Sequence, residues 1–196
     1  MKIVESLTAI VLSGIFINNF ILVRFLGLCP FFGVSKETKS ALGMSAAVIF
    51  VMVLSTVATW IVYTYVLTPL GITFLVTISF ILIIATLVQF VEFVIRKYSP
   101  PLYRALGIYL PLITTNCAVF GSTLLNVKES YSFAQSIVFS CSSGIGFGMM
   151  LLIMSGIREK LELSDVPESM KGVPIAFIIA GILSIVFMKY FGRIAL

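Results

Sequence analysis

Histidine is absent from this 196-residue sequence, and cysteine occurs only three times. The lack of histidine excludes histidine-ligated metal sites and histidine-based catalytic triads within this chain. The three cysteines form no CxxC pair, which excludes a zinc ribbon as well. Charged residues are also scarce, at 11% of the chain. Chemistry carried by this chain must therefore rest on few polar side chains and on the three thiols.

Hydrophobic residues are abundant, at 60% of the sequence, whereas soluble domains contain about half. Runs of about 20 apolar residues are typical of membrane helices. We therefore expect one all-α integral membrane domain over residues 1–196, without a linker. The N-terminal run lacks a small-x-small cleavage site and is expected to remain as the first span. Polar breaks separate six predicted spans, near residues 5–26, 41–67, 71–95, 101–125, 132–157 and 173–193.

The net charge of +5 does not indicate nucleic acid, because the charges are scattered through short loops between apolar spans. They instead predict topology, since cytoplasmic loops are enriched in Lys and Arg. Arg24 is left unassigned, and the other cations divide eight to four. The side expected to be cytoplasmic carries Lys36, Lys39, Arg96, Lys97, Arg104, Arg158, Lys160 and Lys171, and the other carries Lys2, Lys128, Lys189 and Arg193.

A cysteine motif occurs twice. "FLGLCPFFG" (25–33) contains Cys29-x-x-x-Gly33, and "ITTNCAVFG" (113–121) contains Cys117-x-x-x-Gly121. Each motif belongs to a group of three spans, so the second group must enter the membrane from the opposite side. This pattern predicts an inverted three-plus-three repeat with halves near 1–97 and 98–196, an arrangement found in many transporters. Chance similarity between two apolar segments is the alternative.

The two thiols can meet only if their helices are interrupted. In straight helices each cysteine would lie about 30 Å into its span, near opposite faces of the bilayer. Gly27 and Pro30 flank Cys29, and Gly107 and Pro111 precede Cys117. Glycine permits irregular dihedrals, and proline removes a backbone donor. We therefore expect the first and fourth helices to be interrupted, so that both thiols reach one central site.

Three roles remain open for such a pair: a disulfide, the packing of small buried residues, or a metal or iron–sulfur site. Iron–sulfur clusters usually take four thiolates. Two symmetric thiols would then form half of a site that a sister subunit completes. Cys141 has no counterpart in the repeat and precedes Gly144 and Gly148, whose GxxxG spacing suits close helix packing. We expect Cys141 to be a packing residue.

The motifs "NNFILVRFLGLCPFFGVSK" (18–36), "VQFVE" (88–92), "LGIYLPLITTNCAVFG" (106–121) and "SDVPESMKG" (164–172) resemble the family formed by the A subunits of bacterial Rnf complexes. A close relative of that family is the E subunit of the sodium-pumping NADH:quinone oxidoreductase. The resemblance extends over essentially the whole chain. It implies six helices in an inverted repeat, paired with a homologous protein of opposite orientation, the E subunit of the Rnf complex. It also implies that Cys29 and Cys117 ligate a [2Fe–2S] cluster at the interface between the two subunits.

The resemblance further implies electron transfer between ferredoxin and NAD, coupled to Na⁺ or H⁺ movement across the bacterial inner membrane. The chain would relay electrons through the bilayer, with Rnf subunits B, C, D, E and G as partners and flavins on other subunits. A secondary transporter or permease without a redox role is the competing hypothesis. An assembly scaffold is the third. Only the redox hypothesis requires iron bound through the cysteines.

Polar neighbours of the cysteines are candidates for supporting roles. Thr114, Thr115 and Asn116 could donate hydrogen bonds to cluster sulfur, satisfy the broken backbone or bond across a helix interface. Arg24 could offset the negative charge of the cluster, or mark an interface by extending its guanidinium to the membrane surface.

Three further polar residues lie within apolar spans. Asn18 and Asn19 could belong to an ion path or to a helix interface. Glu92 is a candidate carboxylate for the coupling ion, but Arg96 and Lys97 follow one turn later. An interfacial salt bridge is therefore the alternative for Glu92.

The charge distribution generates a testable prediction of topology. Both termini should lie on the extracytoplasmic side, and the loop 158–172 should lie in the cytoplasm. Reporter fusions at the C-terminus and within this loop measure the orientation directly. A cytoplasmic C-terminus would contradict the charge count.

Overall fold

The structure, a computed structural model, describes residues 2–98, 116–164, 167 and 170–191. This part of the chain is almost entirely helical and contains no strand, which confirms the prediction of an all-α protein. Its helices are α1 (Lys2–Leu12), α2 (Leu28–Val34), α3 (Thr38–Val62), α4 (Val76–Tyr98), α5 (Cys117–Lys128), α6 (Phe133–Glu162) and α7 (Val173–Phe191).

Four segments are long and apolar enough to cross a membrane. They correspond to the second, third, fifth and sixth predicted spans, and they confirm a multi-pass membrane protein. Helix α3 reaches its full length because the π-helical residues Tyr63–Leu67 and a last turn, Thr68–Leu70, continue it. The four segments are Thr38–Leu70, Val76–Phe93, Phe133–Glu162 and Val173–Tyr190.

The first predicted span differs from a straight helix. Helix α1 continues through the π-helical residues Ser13–Ile17, and the chain is then irregular until α2 begins at Leu28. Two backbone positions in this break are left-handed, Phe25 with φ 55° and Gly27 with φ 79°. The helical part therefore ends nine residues before the predicted boundary at residue 26.

Pro30 has a different role from the one expected. It lies in the first turn of α2, two residues after Leu28. The first N–H groups of a helix have no partner within that helix, so a proline there removes nothing that the helix needs. Pro30 is thus compatible with the start of α2, and the break lies before it.

The fourth predicted span is described only in its second part. Helix α5 begins at Cys117, and the extended residue Asn116 caps it by accepting a hydrogen bond from the Ala118 N–H at 3.0 Å. Residues 101–115, which include Gly107 and Pro111, lie outside the described residues. The interruption predicted there is not tested.

Helices α3 and α6 pack antiparallel through small residues. A Cβ on Gly148 would lie 3.0 Å from the Ser45 Cβ, and a Cβ on Gly144 would lie 3.0 Å from the Ile49 Cγ1. Both glycines therefore let α3 approach closely, as the GxxxG spacing predicts. Van der Waals packing of this kind is a main source of helix association in a bilayer.

Gly146, which lies between Gly144 and Gly148 in the sequence, packs against the continuation of the first helix. A Cβ on Gly146 would lie 2.9 Å from the Ile15 carbonyl oxygen and 3.1 Å from the Ile15 Cα. Asn19 Nδ2 also donates to the Gly146 carbonyl oxygen at 3.3 Å. Helix α6 is therefore held between α3 and the first helix.

Helix α6 is longer at its C-terminal end than predicted. It begins after a capping box, in which Ser132 N donates to Gln135 Oε1 at 3.0 Å, and it continues to Glu162, five residues past the predicted boundary. Its last turns meet the start of α3, where Thr38 N and Oγ1 donate to Glu159 Oε1 at 2.9 and 2.6 Å. The basic segments around Lys36 and Lys160 therefore lie at the same end of the bundle.

Helices α4 and α7 form the periphery. Most of the residues in their membrane spans are not buried, whereas most of those in the α6 span are. Large apolar side chains on these helices are exposed, as expected for surfaces that face lipid or another subunit. They include Ile78, Ile81, Leu82, Phe90 and Phe93 on α4, and Phe177, Ile178, Ile182, Ile185 and Val186 on α7.

The packing of Gly146 generates a stability prediction. Gly146→Ala should destabilise the protein by about 1–3 kcal/mol, because the new methyl group meets backbone atoms that cannot rotate away. Gly156→Ala on the same helix is the matched control, since no described atom lies within 4 Å of its Cβ position. It should be neutral or stabilising by up to about 1 kcal/mol. Thermal unfolding in detergent compares the two, and equal melting temperatures would contradict the proposed tight packing.

Candidate functional site

Both repeated cysteines lie in the first turn of a helix. Cys29 is the second residue of α2 and follows Gly27, the left-handed N-cap. Cys117 is the first residue of α5 and follows the N-cap Asn116. The first N–H groups of a helix have no partner in the helix and carry partial positive charge. Each thiol therefore lies where backbone groups favour negative charge.

The starts of α2 and α5 are in contact. A Cβ on Gly27 would lie 3.2 Å from the Ala118 Cβ and 3.2 Å from the Asn116 Oδ1. On a third side it would lie only 2.7 Å from the Phe147 Cε2 of α6. A side chain at residue 27 would therefore clash, besides straining the left-handed backbone. The glycine lets the two cysteine-bearing turns lie against each other.

The second glycine of the repeated motif supports the same contact. A Cβ on Gly121, one turn after Cys117, would lie 2.7 Å from the Leu26 Cδ1 and 3.5 Å from the Phe20 Cε1. The irregular segment of the first span thus packs along the first turns of α5. The second copy of the cysteine motif therefore contains both a thiol, Cys117, and the small residue, Gly121, that lets the first copy approach.

The thiols face outwards. Cys29 and Cys117 are exposed, Cys141 is half-buried in α6, and none of the three forms a disulfide. The structure thus contains no disulfide between them, and both repeated cysteines lie on the surface of this chain. Within the described residues, no three Cys, Asp or Glu side chains are grouped closely enough to hold a metal ion.

Asn116 adds a buried donor beside Cys117. Its side chain is 4% exposed, and its Oδ1 is used in capping α5. Its Nδ2 has no hydrogen-bond partner among the described residues. An unpaired buried N–H donor costs free energy. An acceptor placed beside Asn116 Nδ2 would therefore be bound favourably. Thr114 and Thr115, the other predicted neighbours, lie outside the described part of the chain.

Arg158 is a site-supporting residue that the topology count assigned only to a cytoplasmic loop. Its guanidinium is buried, and its Nη1 donates to the Phe32 carbonyl oxygen at 2.8 Å and to Ser35 Oγ at 2.9 Å. It therefore satisfies the C-terminal end of α2, where a cation is favourable. The sequence contains a pattern that places Arg158 on the buried face of α6, because it follows the buried Leu151 and Met154 by seven and four residues.

The Arg24 side chain forms its hydrogen bond with the end of the first helix rather than with α2. Its Nη2 donates to Asn18 Oδ1 at 3.0 Å, and Asn18 Nδ2 donates to Ser13 Oγ at 2.9 Å. The guanidinium lies in an exposed position at the end of the π-helical turn. Its role as a compensating charge for a cluster stays a prediction.

Asn19 satisfies the broken backbone of the first span. Its Oδ1 accepts from the N–H groups of Ile21 and Leu22 at 3.1 and 3.3 Å, and its Nδ2 donates to the carbonyl oxygens of Ile15 and Gly146. These contacts match the helix-interface alternative for this residue. Glu92 lies half-buried on α4, and its role in an ion path stays a prediction.

Comparison with known proteins places these motifs in a family. The family described as "Rnf-Nqr subunit, membrane protein" matches residues 7–194. The chain is 53% identical to the A subunit of the ion-translocating oxidoreductase complex of Methanosarcina acetivorans, over all of this chain and 99% of that protein. It is 50% identical to the protein of the same name from Syntrophotalea carbinolica, over 97% of this chain and 98% of the relative. The predicted family is confirmed: the chain belongs to the Rnf-Nqr family of membrane subunits.

Proposed function

We propose that this chain is a membrane subunit of an Rnf-type ion-translocating oxidoreductase complex. Cys29 and Cys117 supply half of the ligands of a [2Fe–2S] cluster, and the homologous E subunit supplies the other half. One observation carries the proposal: Gly27 contacts Asn116 and Ala118, so the two helix starts that bear the exposed thiols are neighbours. Relatives at about 50% identity that are named as the A subunit of such a complex support it.

The residues of this chain fit half of a cluster site. Iron–sulfur clusters usually need four thiolates, and the two neighbouring helix starts offer two, with no group of three potential metal ligands among the described residues. Both cysteine residues are exposed. A partner that covers this surface would bury the cluster and complete its ligand set.

The surroundings of the thiols suit a redox group. When bound, a [2Fe–2S] cluster accepts and releases one electron. The positive ends of the α2 and α5 helix dipoles favour negative charge near the sulfurs, and Asn116 Nδ2 is a buried donor beside Cys117 without a described partner. Phe147 packs behind Gly27 and excludes water from that side. Burial and hydrogen bonds to sulfur are the main means by which proteins tune cluster potentials.

The inverted three-plus-three repeat is the architecture we propose for the whole chain. Helices α3 and α6 are the second elements of the two halves, and they pack antiparallel, which supports opposite orientations. Helices α2 and α5 both begin at the cysteine motif after an irregular residue. The bundle end with Lys36 and Lys160 would face the cytoplasm, and both termini would face the opposite side.

In the complex, the chain relays electrons across the bilayer between a cytoplasmic iron–sulfur subunit and a flavin-bearing subunit outside. The overall reaction is electron transfer between ferredoxin and NAD, coupled to Na⁺ or H⁺ movement, with subunits B, C, D, E and G as partners in the bacterial inner membrane. A bilayer core of about 30 Å is too wide for one electron hop, so a midplane relay divides the distance.

The permease alternative is less well supported by the broken first span. A substrate site there would need polar groups left available by the fold. The buried Asn19 instead uses both its amide oxygen and its amide nitrogen on backbone groups. The thiols, which a permease does not need, are exposed in this region, as is Arg24, whose guanidinium donates to Asn18.

The proposal predicts the effect of removing the thiols. Cys29→Ala and Cys117→Ala should each abolish the [2Fe–2S] EPR signal of this site and the ferredoxin–NAD electron transfer of the complex. The membrane bundle should still assemble, because an exposed thiol contributes little to packing. EPR spectra, iron content and activity of the purified complex measure these effects.

Cys141→Ala is the matched control, since this thiol is half-buried in α6 and away from both helix starts in the sequence. It should retain the cluster and nearly normal electron transfer. The chain expressed alone should hold little iron, and co-expression with the homologous E subunit should restore it. Normal transmembrane electron transfer in the Cys29→Ala, Cys117→Ala double variant would contradict the relay.

The role of Asn116 can be tested by the cluster potential. Asn116→Asp keeps an oxygen to cap α5 but replaces the Nδ2 donor with a negative charge, so the midpoint potential should fall. Each 1.4 kcal/mol of lost preference for the reduced state corresponds to about 59 mV in a one-electron couple. Asn116→Ser keeps a cap without adding charge and should give a smaller fall. Redox titration monitored by EPR measures both, and an unchanged potential in Asn116→Asp would contradict a hydrogen bond from Asn116 to the cluster.

A further inference from the structure

A cavity of about 210 Å³ lies between α3, α5 and the loop that joins α5 to α6. It lies at the opposite end of α5 from Cys117, because Asn126 follows the cysteine by nine residues, or about 14 Å of helix. Its lining residues include Thr59, Thr123, Asn126 and Tyr131. The described lining contains no Asp, Glu, Lys or Arg side chain.

Two threonine hydroxyls in the lining offer only lone pairs to the cavity. Thr59 Oγ1 donates its proton to the Ser55 carbonyl oxygen at 2.7 Å. Thr123 Oγ1 donates to the Phe120 carbonyl oxygen at 2.8 Å. A hydroxyl has one proton and two acceptor sites, so a hydroxyl that donates to its own helix can only accept from elsewhere.

Asn126 contributes a third acceptor, and it is buried at 6% exposure. Its Nδ2 donates to Ser140 Oγ at 3.2 Å, and Ser140 Oγ in turn lies 2.6 Å from Thr56 Oγ1. The amide nitrogen is therefore engaged with α6. The Oδ1 has no donor among the described residues. A buried acceptor without a donor costs free energy, so a ligand that interacts with this oxygen would recover that cost.

Thr59, Thr123 and Asn126 thus present three oxygen acceptors to a lining without a formal charge, and the hydroxyls of Tyr63, Thr64, Ser130 and Tyr131 can turn their lone pairs to the same space. Hard cations prefer neutral or anionic oxygen ligands, and the absence of carboxylates disfavours a divalent ion. The volume also admits water molecules that could keep part of an ion's hydration shell. Lys128 at the end of α5 and Glu129 in the following loop carry opposite charges, so attraction would come from the oxygen ligands rather than from net charge.

Tyr131, in the loop between α5 and α6, forms part of the cavity wall. Burial, and secondly the negative charge of Glu129, raise the pKa of the Tyr131 hydroxyl. Trp60 Nε1 donates to the Tyr131 carbonyl oxygen at 3.4 Å, which fixes the loop against α3. The cavity is therefore bounded by a loop held in place by aromatic side chains.

We propose that this cavity binds a monovalent cation through Asn126 Oδ1 and the hydroxyl oxygens of Thr59 and Thr123. The site is distinct from the cysteine site, and it gives the transported ion a binding place within this chain. Its role in transport rests on the proposed function of the chain. Its cation binding does not, because binding can be measured without electron transfer.

The experiment uses the purified complex, with Na⁺ as the probe. Asn126→Leu removes the unpartnered oxygen, and the Na⁺ concentration for half-maximal electron transfer should rise about tenfold, the change expected for one lost ligand of a charged group. Asn126→Asp keeps an oxygen and adds negative charge, so this concentration should fall or stay the same. ²³Na NMR line broadening measures Na⁺ binding to the same preparations in the absence of ferredoxin and NAD.

Ser143→Ala on α6 is the matched control. Ser143 also has a buried hydroxyl without a described partner, but it does not line the cavity. This variant should leave Na⁺ binding and Na⁺ dependence unchanged. If Asn126→Leu does not assemble, Thr59→Val makes the same test, since it removes one cavity oxygen at nearly constant volume.

The outcomes separate the cation site from the cluster. An unchanged Na⁺ dependence and NMR signal in Asn126→Leu, or in Thr59→Val where Asn126→Leu does not assemble, would overturn the cation site, even if the EPR signal of the cluster is present. Absence of Na⁺ binding and of Na⁺ dependence in the unmodified complex would overturn it as well. Loss of Na⁺ binding in these variants, in a complex that never shows the cluster signal, would support the cation site and contradict the proposed function.

Discussion

The contact between Gly27 and the start of α5 is the constraint on which the cysteine site depends. Three atoms, from Asn116, Ala118 and Phe147, surround the position of a Cβ at residue 27 at 2.7–3.2 Å. The left-handed φ of 79° independently favours glycine there. Because α2 begins directly after Gly27, this contact determines where Cys29 lies relative to the first residue of α5. A side chain at residue 27 would press against Phe147 of α6 and against the start of α5, and would therefore disturb the contact between the two cysteine-bearing turns.

An interrupted helix in a membrane is stable only if its free backbone groups find partners. Asn19 bonds to backbone groups on both sides of its own turn and to α6, and Ser184 of α7 donates to the Leu22 carbonyl oxygen at 2.6 Å. Arg158 does the same for the C-terminal end of α2. Helix α6 supplies two of these contacts and also contains the glycines that admit α3 and the π-helical residues Ser13–Ile17. It is therefore the scaffold that holds the broken first span in place.

The parts of this arrangement that could be predicted from the sequence have local determinants: apolar runs for the membrane helices, the repeated motif for the two thiols, and Gly27 for the break. The role of Pro30 was not predictable, since a proline ends a helix in its interior but suits its first turn. Long-range contacts explain the rest. Arg158 lies 126 residues from Phe32 in the chain. Asn126 is an ordinary polar residue near a helix end until the packing of α5 against α3 and α6 buries its amide and leaves one oxygen without a described donor.

Helix α5 joins the two proposed sites, with Cys117 at its first residue and Asn126 in its last turn. An electron held near Cys117 and a cation near Asn126 would be about 14 Å apart along this helix. At an effective dielectric constant of about 20, opposite unit charges at that separation attract by about 1.2 kcal/mol. This energy corresponds to somewhat less than a tenfold change in cation affinity between the two redox states. Simple electrostatics across one rigid helix would thus couple electron arrival to cation binding, without requiring a conformational change in α5.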